Sequence, residues 1–238
     1  MSNTTHIPKS QSWQMFNTIS KRYDLLNRLL SFGLDIRWRN KLSDQLVVRE
    51  NMKVLDLATG TGDVLITFEK RHSTLAQGIG LDMAQGMLDV GNEKLEKLGL
   101  NNTITLQHGD ANSIPFDENT FDNISMSFGI RNVEDPVVVL KEMKRTLKSG
   151  GRGLVLEFSL PDNAIIRFFH IFYLRYCVPI IGWLFSGNYK AYKYLNQTIE
   201  DFPYGEDFCD LMKESGLINI KRTPLLFGTA TIYQGEKA

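Results

Sequence analysis

From residue 54 onward the chain alternates short apolar, β-rich runs with amphipathic stretches. Residues 54–58, 78–82, 104–109, 123–128 and 153–158 read as strands. Stretches ending at Phe68, running from Ala84 to Leu98, and running from Pro136 to Lys148 repeat apolar residues at helical steps. Strands separated by helices of this length pair in parallel through right-handed crossovers. The pattern therefore predicts an α/β, doubly wound, mostly parallel sheet with helices on both faces. A further helix near 205–215 precedes two short runs, 218–221 and 229–234, separated by Thr223-Pro224, which would extend the sheet at one edge.

Two regions flank this pattern within a single domain spanning 1–238. Phe16, Ile19, Tyr23, Leu26 and Leu30 recur at three- and four-residue steps, opening an N-terminal helical cover over 13–50. Residues 160–204 form an aromatic insertion expected to act as a helical lid. Its block 165–185 approaches the ~20 residues that span a bilayer. Arg167, His170, Arg175, Pro179 and Gly182 interrupt it, and each Arg at the bilayer centre would cost roughly 2.5–3.5 kcal/mol. An amphipathic helix is expected instead, with Ile165, Phe169, Phe172 and Tyr176 on one face, covering a pocket or resting on a membrane.

Apolar residues at 42%, charged residues at 23% and a formal net charge of zero describe a globular chain with no electrostatic bias toward nucleic acid. Cys177 and Cys209 have neither Cys-x-x-Cys spacing nor a nearby His, which points to a reducing compartment and no metal site. His6, His72, His108 and His170 have no partner spacing and read as outside the chemistry. The polar N-terminus lacks a secretory core, so a cytoplasmic location is expected.

The candidate chemistry begins at Ala58-Thr59-Gly60-Thr61-Gly62-Asp63, the turn after the first strand, where doubly wound folds bind ligands. A dinucleotide site would carry a third glycine where Leu65 stands, with a helix N-terminus open to pyrophosphate. Carboxylates instead flank the loop at Asp56 and Asp63, which suits a ligand bearing an ammonium and a sulfonium. The stretch resembles the first motif of class I S-adenosylmethionine (SAM)-dependent methyltransferases, with Ala58 in place of a glycine. Asp82 closes the second strand, placed to hold both ribose hydroxyls, and Gly109-Asp110-Ala111 follows the third, where the adenine edge is read. The same resemblance assigns Thr59, Gly60, Thr61, Met83 and Ser127 to the cofactor.

Tyr23-Asp24-Leu25-Leu26-Asn27, Leu30-Ser31, Gly33-Leu34-Asp35-Ile36-Arg37-Trp38, Ser127-Phe128-Gly129-Ile130-Arg131-Asn132, residues 145–159 and 199–203, and a tail from Phe227 to Lys237 resemble the bacterial ubiquinone/menaquinone C-methyltransferase family. The likeness runs from about Phe16 to Lys237. Asp35 stands where the family often has histidine, and Ser149 where it has Pro or Val. The resemblance implies a seven-stranded Rossmann-like sheet in the order 3-2-1-4-5-7-6, the seventh strand antiparallel. It also implies methyl transfer from SAM to a ring carbon of a polyprenyl quinol, with naphthoquinol and methoxybenzoquinol both open as acceptors, a menaquinol precursor slightly preferred, and self-association undecided. Arg131 is expected to stabilise the developing phenolate, with Asn132 and Tyr23 orienting the ring and Asp24 or water as base. Phe128, Phe169, Phe172 and Tyr194 are expected to line the acceptor site. Since the substrate dwells in a bilayer, peripheral contact with the inner face of the cytoplasmic membrane is expected. The competing reading for Arg131 is a surface ion pair with Glu134 or Asp135, and that for Tyr23 is core packing.

Rival functions fit less well. Base-amino methyltransferases place a Pro-Pro-aromatic segment after the fourth strand, where this chain has Ser127-Phe128-Gly129-Ile130, and nothing resembles a nucleophilic cysteine for C5-cytosine chemistry. Leu65 disfavours nicotinamide binding. A different small hydrophobic acceptor, or a noncatalytic quinone-binding protein on a relic fold, remains as the alternative.

Overall fold

The computed structural model describes residues 8–186 and 189–238. The polar stretch 1–7, including His6, and residues 187–188 of the expected lid lie outside them.

Among the described residues, seven strands form one sheet: β1 (Met52–Leu57), β2 (Leu75–Asp82), β3 (Ile104–His108), β4 (Phe121–Ser127), β5 (Leu147–Phe158), β6 (Ile218–Leu225) and β7 (Ala230–Glu236). Their order is β3-β2-β1-β4-β5-β7-β6, with β7 antiparallel to both neighbours and the other pairs parallel. The expected topology is the one observed.

Alternation along the strands builds two core layers. Leu55, Leu57, Val155 and Tyr233 face one layer, closed by α5 (Pro136–Thr146) and α9 (Glu206–Glu214) through Leu140, Met143, Phe208 and Met212. Val54, Leu154, Leu156 and Ile232 face the other, closed by α2 (Leu34–Ser43), α3 (Asp63–Arg71) and α4 (Gln85–Leu98) through Trp38, Leu65, Phe68 and Leu88. Leu65, at the position of the missing third glycine, is wholly buried there.

Several boundaries differ from the sequence pattern. β5 starts at Leu147, so α5 stops at Thr146 rather than Lys148. Pro224 does not separate two runs: it pairs with Thr231 inside β6. Because β6 is the sheet edge, a residue without an N–H is tolerated there. The N-terminal cover is two helices, α1 (Ser12–Leu30) and α2, parted at Gly33 with φ of 75°.

The region after β5 begins with α6 (Ala164–Phe172), capped by Asn163, whose side chain accepts from Ile165 N at 3.0 Å. A π-helical turn (Tyr173–Cys177) joins α6 to α7 (Val178–Ser186), and α8 (Tyr189–Asp201) follows. The run 164–184 is long and apolar enough to cross a bilayer by length and composition. Leu174 and Val178 pack on α1 and α8, while Ile165, Phe168, Phe172 and Tyr176 are exposed. Arg175 pairs with Glu200 of α8, and Arg167 donates to Pro161 O at 2.6 Å.

Candidate active site

The turn after β1 is shaped by close approaches. A Cβ on Gly80 of β2 would lie 2.7 Å from Cγ2 of Thr59, and one on Gly91 of α4 would lie 3.1 Å from the Thr61 carbonyl oxygen. Glycine at both places lets β2 and α4 close on the loop. The turn itself needs positive φ at Ala58 (49°), Gly60 (56°) and Gly62 (79°). A non-glycine there is strained, which marks Ala58 as a position fixed by its surroundings.

A cavity of about 320 Å³ opens at the carboxyl ends of β1–β4. Ala58, Gly60, Asp82, Met83, Asp110, Ala111, Ser127 and Asn132 line it, as expected positions brought together, and Tyr23 and Phe128 line it too. Asp82 is anchored by Gly60 N at Oδ2 and Ala84 N at Oδ1, both at 2.8 Å, and burial pushes its carboxyl upward. Asp110 accepts from Asn112 N at 2.9 Å. Oγ of Ser127 and Oδ1 of Asn132 are buried without a protein partner among the described residues, so a bound ligand is what would satisfy them. Trp13, Phe16, Met87 and Asn112 also line the cavity and were not expected. Trp13 and Phe16 come from α1, which docks on α4 where Asn17 Oδ1 accepts from Gly86 N at 2.8 Å.

Four expected cofactor residues and Asp24 line neither cavity. Asp56 is buried beneath the loop, accepting from Ser125 Oγ at 2.6 Å, and burial raises its pKa to about 7. Thr59 turns inward toward β2. Asp63 faces Arg39 at 3.1 Å and Lys94 at 2.7 Å; burial pushes its carboxyl up, but these two cations hold it below the usual range. Asp24 accepts from Thr61 Oγ1 at 2.7 Å and Lys94 Nζ at 2.6 Å. Asp56 thus bonds across to β4, while Asp63 and Asp24 tie the loop to α2, α4 and α1. In this structure Asp24 braces the loop.

A second cavity of about 440 Å³ lies behind the first, walled by Leu30, Trp38, Phe158, Phe169, His170 and Tyr173. Phe16, Tyr23 and Phe128 line both cavities and form the wall between them. Phe128 takes φ of 56°, held by its N–H to Leu156 O at 2.7 Å and by Phe158, whose ring centroid is 4.6 Å away. Tyr23 sits edge-on to Phe16, and burial raises its pKa, so the phenol stays protonated.

Arg131 lines the second cavity, but with 3% of its side chain exposed it is no surface residue, and its partner is neither Glu134 nor Asp135. Nη1 donates to Glu157 Oε1 and to Phe128 O, each at 2.6 Å. Glu157 was missed; the signal was a charged residue ending the apolar run of β5. Burial raises its pKa, against the lowering effect of Arg131. Phe172 points to solvent, and Tyr194 is buried among α1, α7 and α8; neither lines the cavity.

A doubly wound sheet of this order, with a ligand cavity at the carboxyl ends of β1–β4, defines a class I SAM-dependent methyltransferase. A SAM-dependent methyltransferase from Aquifex aeolicus superposes with a TM-score of 0.61 at 19% identity, covering 84% of this chain and 89% of that one. The sequence model of the ubiE/COQ5 methyltransferase family matches residues 4–237, and the chain belongs to that family. It is 41% identical to the ubiquinone/menaquinone biosynthesis C-methyltransferase UbiE of Geotalea uraniireducens, over 94% of this chain and 95% of the relative. It is 36% identical to the demethylmenaquinone methyltransferase of Anoxybacillus flavithermus, over 94% of each.

Proposed function

We propose that this enzyme transfers a methyl group from SAM to a ring carbon of a polyprenyl quinol, a demethylmenaquinol or a 2-methoxy-6-polyprenyl-1,4-benzoquinol. The observation that carries this reading is the pair of adjoining cavities with Phe16, Tyr23 and Phe128 in common. SAM supplies an electrophilic methyl carbon on a sulfonium. Asp82 is positioned to accept from ribose hydroxyls, Asp110 and the Ala111 backbone to meet the adenine edge, and Ser127 and Asn132 to satisfy their free oxygens on the ligand.

The second cavity suits the acceptor. Its aromatic and aliphatic walls bury a ring and the start of a prenyl tail and exclude water, which strengthens attraction between an electron-rich ring and a cationic donor. Arg131 is pinned by Glu157, so it presents a fixed guanidinium rather than a mobile charge. That favours electrostatic stabilisation of negative charge on the acceptor oxygen over proton transfer.

The exposed apolar face of α6 and α7 borders this cavity through Ile166, Phe169 and Tyr173, which supports peripheral docking on the membrane holding the quinol. Purified enzyme assayed with each quinol and labelled SAM tests the reaction, and lipid extraction from a deletion strain tests it in the cell. Accumulation of one demethylated quinone identifies the ring; accumulation of neither overturns the proposal.

A further inference from the structure

His170 belongs to α6 and lines the acceptor cavity. Its Nε2 is buried and has no hydrogen-bond partner among the described residues. A polar atom withdrawn from water and left unpaired carries a desolvation penalty that a bound ligand can relieve. The sequence offers no reason to single out this histidine, because its significance depends on which cavity α6 covers.

The other titratable and charged groups lining this cavity are Tyr23, Asp35, Arg39, Arg131, Tyr173 and Tyr192. Asp35 is taken up by Arg39 at 2.8 Å and by Ser31 at 2.9 Å. Tyr173 donates to Leu30 O at 2.9 Å. The phenols are protonated near neutral pH and the two guanidiniums have no lone pair to offer. Asp24 is committed to Thr61 and Lys94. The proton that a phenolic acceptor must give up therefore needs another receiver.

We propose that Nε2 of His170 accepts a hydrogen bond, and then the proton, from a ring hydroxyl of the acceptor, which makes it a catalytic residue. This rests on the phenolic acceptor proposed above. The O–H bond breaks, its proton moves to Nε2, and the electron pair stays on oxygen and raises electron density at the adjacent ring carbon. That carbon forms the new C–C bond as the methyl–sulfur bond breaks with its pair going to sulfur. The carbon's hydrogen then leaves as a proton while oxygen recovers one from the imidazolium, so one proton is released per turnover. Burial lowers the pKa of His170, which keeps the ring neutral and able to accept at neutral pH.

The test uses the full-length enzyme labelled with 15N-histidine and titrated with 1-naphthol, alongside His170→Gln and His170→Phe. The Nε2 resonance, assigned by its loss in the variants, is expected to shift on naphthol binding. Both variants are expected to lose at least tenfold in kcat, to keep the parent's affinity for SAM, and to lose the acid limb of the pH–rate profile. A resonance unmoved by naphthol, or a His170→Phe enzyme with the parent's kcat and acid limb, overturns the assignment. Methyl transfer by the parent enzyme to a quinol tests the earlier reading separately; the naphthol titration needs no turnover and judges His170 on its own.

Discussion

Arg131 donates to Glu157 at 2.6 Å, an ion pair joining the segment after β4 to the end of β5, with both side chains almost wholly withdrawn from water. Removing one member of such a pair leaves the other charge buried and uncompensated. Glu157→Ala is expected to lower unfolding stability by about 3–5 kcal/mol, measured by urea denaturation. Arg131→Lys cannot reproduce the bonds to both Glu157 and Phe128 O. It should lower kcat by at least tenfold with SAM affinity unchanged in calorimetry; full turnover would remove Arg131 from the chemistry.

Lys94 holds Asp24 at 2.6 Å and Asp63 at 2.7 Å, tying α1 and α3 to α4 beside the turn after β1. Asp24→Asn is expected to lower stability by about 1–3 kcal/mol and to weaken SAM binding. The shape of the pH–rate profile should not change, because this carboxylate does not reach the cavity. A lost acid limb in the variant would restore Asp24 as the base.

Asp82 lines the first cavity with its oxygens already oriented by Gly60 and Ala84. Asp82→Ala removes both the ligand contact and the support for the turn. Calorimetry is expected to show at least a tenfold loss of SAM affinity, about 1.4 kcal/mol, with quinol-analogue binding retained.

Burial raises Asp56 to about 7 from an ordinary 3.8. Between those values the folded chain holds a proton that the unfolded chain has released, so this group's contribution to stability falls as pH rises from about 4 to about 7 and is level above that. Asp56→Asn keeps a hydrogen-bonding group opposite Ser125 without the charge. The variant is expected to gain stability over the parent at pH 8 and to lose that advantage toward pH 4; thermal melts across this range give the comparison.

Phe168 and Phe172 are exposed on α6 and line neither cavity. Replacing both with serine should abolish flotation with liposomes and turnover of vesicle-borne quinol. Turnover of a short-chain quinol in detergent should stay near the parent value. Equal flotation of parent and variant would place membrane contact elsewhere.

Much of the fold was readable in the strand and helix periods, because burial on both faces of a parallel sheet leaves apolar runs of strand length. What the period could not carry was the course of the edge: Pro224 reads as a break, and only its outer position in the sheet lets it stay in β6. That Asp82, Asp110 and Ser127 line one cavity was legible, since a residue ending a strand or opening the following loop has its place set by the sheet itself. The ion pairs of Asp63 and Asp24 were not legible, because their partners, Arg39 and Lys94, arrive from elements distant in the chain.

The sequence by itself determined the class of sheet, the tight turn after the first strand with Leu65 and Ala58 in place of glycines, and the family, all of which depend on local spacing and residue type. Tertiary structure decided which side chains face a ligand. It turned Asp56 under the loop, paired Arg131 with Glu157, set Phe16, Tyr23 and Phe128 between two cavities, and left Nε2 of His170 without a partner among the described residues in the second. Those outcomes rest on contacts between segments far apart in the chain, and direction and burial are properties of the packed molecule that no single segment carries.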